Sequence, residues 1–234
     1  NKTMKYSFIV FALFLLASCG KDQHDLTVKG TVKDLKKGTL YLQKIQDSTL
    51  ITVDSLTING NSNFELHAEL ESPEVFFLHL NKTNKDAYGK ISFFADKGVT
   101  EINTTLKNFE LNPEIKGSKQ QVIFENYLKM MDRYNDKNLE LIKAEIDAKS
   151  QNDSTLVADN MKAYQNLLKS KYLYTVNFAI QNKDSEVAPY VALTEIYDAQ
   201  TKWLDTINNA LTPKIKASKY GKELDAYIKE RKSN

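Results

Sequence analysis

The 234-residue chain holds one cysteine, Cys19, and three histidines, His24, His67 and His79. A single sulfur can form neither an intrachain disulfide nor a Cys-x-x-Cys pair, so thiol redox catalysis and a cysteine metal site both need more than this chain offers. Imidazole is the commonest metal ligand, but no His-x-x-x-His spacing occurs. His24 falls in a polar stretch, and His67 alternates with Phe64, Leu66 and Ala68, which places it away from the core with Glu65 and Glu69. No metal site and no cofactor are expected. Carboxylates are plentiful, but acid–base work needs two of them in a cleft that drives their pKa values apart, and solvated strand faces account for them here. There is no Gly-x-Ser-x-Gly elbow, phosphate loop or dinucleotide fingerprint, so a non-enzymatic protein is expected. Tyr127, Tyr134, Tyr164, Tyr172, Tyr174, Phe178, Tyr190, Tyr197 and Trp203 could line a groove for an apolar ligand or peptide, since Tyr and Trp pair an apolar body with a polar tip. Their helical spacing favours ordinary packing.

The cysteine has its own context. Lys5 precedes an apolar run from Ser7 to Leu16, followed by Leu16-Ala17-Ser18-Cys19. About ten residues cannot cross a bilayer as a helix, which takes roughly twenty, but they suit the apolar region of a secretory signal peptide, with Met4 as the natural start. Leu-Ala-Ser-Cys resembles a bacterial lipobox. That resemblance implies a signal peptide over residues 1–18, a diacylglyceryl group on the Cys19 sulfur, cleavage before it and acylation of the new amine. Each buried CH₂ contributes ~0.8 kcal/mol, so two or three chains anchor stably where one does not. Cleavage removes Lys2 and Lys5 and takes the formal charge from +2 to about zero, which argues against a nucleic-acid partner. Gly20 after the cysteine favours residence in the outer membrane, and residues 19–25 read as a polar tether.

From Leu26 to about Lys116 the pattern is short and alternating, with strands expected over Leu26–Val32, Thr39–Ile45, Leu50–Ile58, Asn63–Leu70, Glu74–Leu80, Lys90–Ala95, Gly98–Leu106 and Phe109–Leu111. Turn chemistry separates them at Lys37-Gly38, Asn59-Gly60-Asn61, Ser72-Pro73 and Lys97-Gly98. The period then switches. Ser118-Lys119-Gln120-Gln121 is a capping-box pattern, followed by an apolar stripe through Ile123, Tyr127, Met130, Tyr134 and Leu141. Asp153 is placed to cap a second long helix, and shorter helices are expected over Ser185–Tyr197, Thr201–Leu211, from Thr212-Pro213, and to about Arg231. The expected fold is α+β: an antiparallel β-sandwich-like domain over 26–117 and an α-helical region over 118–234. The Pro113–Ser118 joint is too short and too poor in Gly and Ser to be a flexible linker.

An ordered set of short motifs carries a family resemblance. It runs from Gly38-Thr39-Leu40-Tyr41-Leu42 through Asp54-Ser55, Phe64-Glu65-Leu66 and Pro73-Glu74-Val75 to Val99-Thr100-Glu101-Ile102. It continues with Lys116-Gly117-Ser118, Ser185-x-Val-Ala-Pro-Tyr and Ser218-Lys219-Tyr220-Gly221-Lys222. This resembles the domain of unknown function that precedes the thioredoxin-like domain in lipoprotein thiol:disulfide interchange proteins of the Bacteroidetes. Here no Cys-x-x-Cys domain follows before Asn234, so the relatives' redox activity does not transfer. The expectation is a lipid-anchored binding or interaction module of the cell envelope, held to the membrane through Cys19. The alternative is an accessory component of an extracytoplasmic thiol–disulfide pathway, partnering a separate thioredoxin-like protein. Asp47-Ser48-Thr49, Asp54-Ser55-Leu56, Asp153-Ser154-Thr155 and Asp205-Thr206-Ile207 also resemble the O-glycosylation sequon of this bacterial group, with a structural role open for Asp54.

Overall fold

The structure, a computed structural model, describes residues 24–81 and 87–233. Strands come first: β1 (Leu26–Lys33), β2 (Lys37–Gln46), β3 (Thr49–Asn59), β4 (Asn63–Ala68), β5 (Glu74–Asn81), β6 (Ala87–Ala95), β7 (Gly98–Thr105) and β8 (Glu114–Lys116). They form two four-stranded sheets, ordered β4-β1-β7-β8 and β3-β2-β5-β6. Alternation builds the core between the sheets: Val28 and Val32 from one face Leu40, Leu42, Leu78 and Phe93 from the other, all with no solvent exposure. Each such Val, Leu or Phe contributes about 1.5–3 kcal/mol by leaving water. The strands thus read from period-two patterning form a sandwich followed by helices.

Two features depart from the expected pairing. The β1–β7 pair is parallel, with Leu26 opposite Gly98, while the remaining pairs are antiparallel. Gly30 permits the close approach at this pair, because a Cβ there would lie 1.8 Å from the Ile102 carbonyl oxygen. The strand expected at Phe109–Leu111 is a turn, and the edge strand comes a few residues later at β8. Thr104 Oγ1 donates to the carbonyls of Asn108 (3.3 Å) and Phe109 (3.1 Å). That curl sends Phe109 into the core at 3 % exposure and leaves Leu111 outside at 72 %.

The hairpin between β2 and β3 turns on Asp47 and Ser48, both at positive φ (47° and 63°), the twist a two-residue hairpin loop demands. Further along, Leu42 faces Asp54 but Gln43 faces Thr52, so the register slips by a residue. Asp54 sits at this bulge, where Oδ1 accepts the Ser55 N–H (2.7 Å) and Oδ2 accepts the His67 N–H (2.7 Å). It therefore tethers β3 to β4 across the sheet boundary.

The helices are α1 (Lys119–Ser150), α2 (Ser154–Gln181), α3 (Val187–Glu195), α4 (Thr201–Ala210), α5 (Pro213–Lys216) and α6 (Lys219–Ser233). Ser118 caps α1 by accepting the Gln121 N–H at 3.1 Å, and Asp153 caps α2 by accepting the Leu156 N–H at 3.0 Å. The reciprocal half of the capping box is not made. Gln121 instead reaches the sandwich, where its Oε1 accepts the Phe94 N–H of edge strand β6 at 2.7 Å. The apolar stripe of α1 is buried at Phe124, Tyr127 and Met131, while Leu139, Ile142 and Ile146 are exposed. One cluster packs the helices together, and another spans the two halves: Val75 and Phe94 from the sandwich meet Phe124 and Tyr127 of α1, Val191 of α3 and Tyr220 of α6.

Candidate functional site

The segments that join sandwich to helices leave a cleft of about 650 Å³. Its walls come from the β4–β5 connection (Ser72), the β6–β7 turn (Asp96), the start of α1 (Gln120), the loop before α3 (Glu186), α5 (Lys214) and the residue before α6 (Ser218). Local chemistry explains why the chain bends there. Gly117 has φ 99°, and a Cβ on it would lie 2.0 Å from the Val99 carbonyl oxygen, so the entrance to α1 takes glycine. Asp96 covers the α1 N-terminus, accepting from Ser118 Oγ (3.2 Å) and the Gln120 N–H (3.0 Å). A carboxylate is favourable at that positive end of the helix dipole. Ser185 Oγ donates to Gln120 Oε1 and accepts the Val187 N–H at 3.1 Å. Ser218 Oγ donates to the Ile215 carbonyl at 2.7 Å. The walls are thereby cross-tied between elements far apart in sequence.

Two buried carboxylates stand at this junction, and their surroundings differ. Glu74, 4 % exposed, meets Lys44 Nζ at 2.9 Å and also pairs with Lys219 Nζ. Lys219 Nζ in turn donates to the Ile45 carbonyl at 2.7 Å. Glu186 is 3 % exposed and lines the cleft. Among the described residues no cation pairs with it, and its own backbone amide is the group that approaches the carboxylate. Burial pushes its carboxyl above the usual carboxylate range; Asp96 and Asp184 act in the same direction, and Lys214 draws it part of the way back.

Cys19, the residue read as the lipid attachment point, lies outside the described residues. His24 and Asp25, at the end of the expected tether, are fixed to the fold. Asp25 accepts the Leu70 N–H (3.1 Å) and pairs with Lys97 (2.8 Å). His24 stacks on His67 with ring centroids 4.5 Å apart, and the two rings meet Glu69 (3.3 Å) and Glu65 (3.4 Å) respectively. His79 sits apart from them, beside Tyr41. Among the described residues no three histidine, cysteine or acidic side chains are placed to hold a metal ion.

The aromatic residues of the helical half divide. Tyr127 is fully buried and bonds Thr175 Oγ1 at 2.8 Å; it packs with Tyr174 and Phe178 between α1 and α2. Tyr190 stacks edge-on to Phe94 (5.4 Å) and belongs to the junction. Tyr172 and Trp203 line a second cavity of about 790 Å³ beside Leu168 and Leu173. There the Tyr172 hydroxyl donates to Asp198 at 2.8 Å, and its pKa is pushed up to about 12 by burial and that bond. Tyr164 and Tyr197 are exposed.

Sequence reasoning passed over Glu186. The visible signal is a carboxylate set directly against the apolar run Val187-Ala188-Pro189-Tyr190-Val191-Ala192-Leu193. The cleft itself comes from segments that only tertiary packing brings together.

By architecture this is a four-on-four β-sandwich joined to a helical half. A family model described as a domain of unknown function, DUF4369, matches residues 26–124, so the sandwich and the first turn of α1 carry a DUF4369 domain. No curated protein matches the chain.

Proposed function

We propose that this chain is a lipid-anchored, non-enzymatic cell-envelope protein whose folded body is a binding module, with the junction cleft as its binding site. The observation that carries the binding reading is Glu186, a buried carboxylate with no cation partner among the described residues, lining a cleft of about 650 Å³. That volume falls within the range of small-molecule sites. The non-enzymatic reading rests on the sequence, which carries no Gly-x-Ser-x-Gly elbow, phosphate loop or dinucleotide fingerprint. The anchor rests on Leu16-Ala17-Ser18-Cys19, and outer-membrane residence on Gly20 after the cysteine. The test of the anchor is Cys19→Ser, which should abolish lipid labelling and release the protein from the membrane fraction. Unchanged labelling in that variant ends the lipoprotein reading.

A second reading makes the chain an accessory component of a thiol–disulfide pathway. It is favoured by the order of motifs, which resembles that of domains preceding thioredoxin-like domains. Pulldown from solubilised envelopes separates the two: a thioredoxin-like partner supports the second reading, and other envelope machinery the first.

A further inference from the structure

We infer that the junction cleft binds a small zwitterion, taking its ammonium group against Glu186 and its carboxylate at the rim lysines, Lys119 and Lys214. The inference deepens the binding-module reading and rests on it. Glu186 supplies the first half. In the free protein its carboxylate meets its own backbone amide but, among the described residues, no cation. Leaving a buried charge unpaired is unfavourable, and this fold pairs the other buried carboxylate of the same junction, Glu74, with two lysines. A cation supplied from outside would complete Glu186 as Lys44 and Lys219 complete Glu74.

The rim supplies the second half. Lys119 and Lys214 line the cleft, are exposed, and among the described residues form no ion pair within 4 Å, in contrast to Lys97, which is held by Asp25 at 2.8 Å. The lining also carries Glu71, Asp96 and Asp184, so it presents both signs of charge, and a ligand with an anionic group behind its ammonium would find partners for both ends. The cleft's carboxylates do not converge as a metal site, since among the described residues no such group is placed to hold an ion. The chemistry is that of a free amino acid or of a short peptide bearing both termini.

Isothermal titration of the full chain in detergent with triglycine tests this. We expect saturable binding of one molecule. N-acetyl-triglycine, which lacks the ammonium, should bind at least tenfold more weakly, and triglycine amide, which lacks the carboxylate, several-fold more weakly. Glu186→Gln, which keeps size and fold, should weaken triglycine at least tenfold, and Lys119→Ala with Lys214→Ala several-fold. L-lysine in a parallel titration distinguishes the sources: tighter L-lysine marks a free amino acid, tighter triglycine a peptide. Absence of binding by both zwitterions, equal binding of the acetylated peptide, or unchanged affinity in Glu186→Gln would each overturn the inference. Because lipid labelling at Cys19 is read separately, failure here leaves the anchor standing, and loss of the anchor leaves the cleft to be judged by these titrations alone.

Discussion

Burial strips water from both oxygens of a carboxylate, and Glu74 and Glu186 meet that loss in opposite ways. Glu74 is compensated by Lys44 and Lys219, whereas Glu186 is left to shift its proton affinity upward, mainly through burial. The direction fixes a pH dependence. In the folded state Glu186 holds its proton to a higher pH than its ordinary value of 4.5, so above that value the folded chain binds more protons than the unfolded one. Raising the pH through this window therefore favours unfolding. The penalty is absent at pH values below 4.5 and complete once the folded-state group has ionised. Glu186→Gln removes it. The expected outcome is a variant more stable than the parent near neutrality, with the difference vanishing toward pH 4, checked by urea unfolding of both proteins across pH. A variant less stable than the parent at pH 7 would mean that the carboxylate has a partner after all. Asp25 runs the other way, because Lys97 and the Leu70 amide hold it below the usual range, so only the difference between the two proteins isolates Glu186.

At the scale of elements, the decisive contact is the docking of α1 on strand β6. Strand β6 is the edge of its sheet, and edge N–H groups need a partner when covered. Gln121, 4 % exposed, provides one for Phe94. Gln121→Leu preserves volume but orphans that amide, and should destabilise the chain by about 1–3 kcal/mol. A lowered urea midpoint with an unchanged m-value would show it, and an unaltered midpoint would mean that water replaces the side chain. Ser118 and Gln121 were recognisable as a helix start from their types and spacing, and Ser118 does cap; the Gln121 side chain went elsewhere because a buried strand amide was the more demanding partner. Strand periods were legible because one face of each strand meets a core, and the helices because Ser118, Asp153 and Pro213 punctuate them. Alternation cannot report which strands become neighbours, so the parallel β1–β7 pair was invisible. It also misread Phe109 and Leu111, where Thr104 curls the backbone. The cleft was illegible for a related reason: Asp96, Glu186 and Lys214 meet only after both halves have packed.

For the molecule as a whole, the relevant quantity is what the halves share. Val75 and Phe94 belong to the sandwich by sequence but lie in a cluster completed by Phe124, Val191 and Tyr220. The Tyr220 hydroxyl accepts the Val75 N–H at 2.9 Å, a bond joining residues 145 apart. Separated, each half would present this apolar surface and these polar groups to water, and small domains have little such area to lose. A single cooperative thermal transition is therefore expected for the chain beyond the tether, with residues 26–117 expressed alone giving a poorly soluble product. Calorimetry resolving two transitions, each reproduced by its isolated half, would show the halves to be independent.

The parallel pairing of β1 with β7 also sets an order of events in time. Thr31 and Asn103, which share a hydrogen bond across this pair, stand 72 residues apart in the chain, and loop closure over such separations makes folding slow, on the order of milliseconds to seconds for sandwich topologies. A polypeptide emerging from its N-terminus has β4 available to β1 long before β7 exists. During that interval β1 is an edge strand bearing Leu26, Val28 and Val32, the kind of unpaired apolar edge that recruits other chains. The strand that becomes the middle of the finished sheet is thus the one most exposed to misassociation while the sheet is being made, and the arrival of residues 98–105 is the step that retires the hazard.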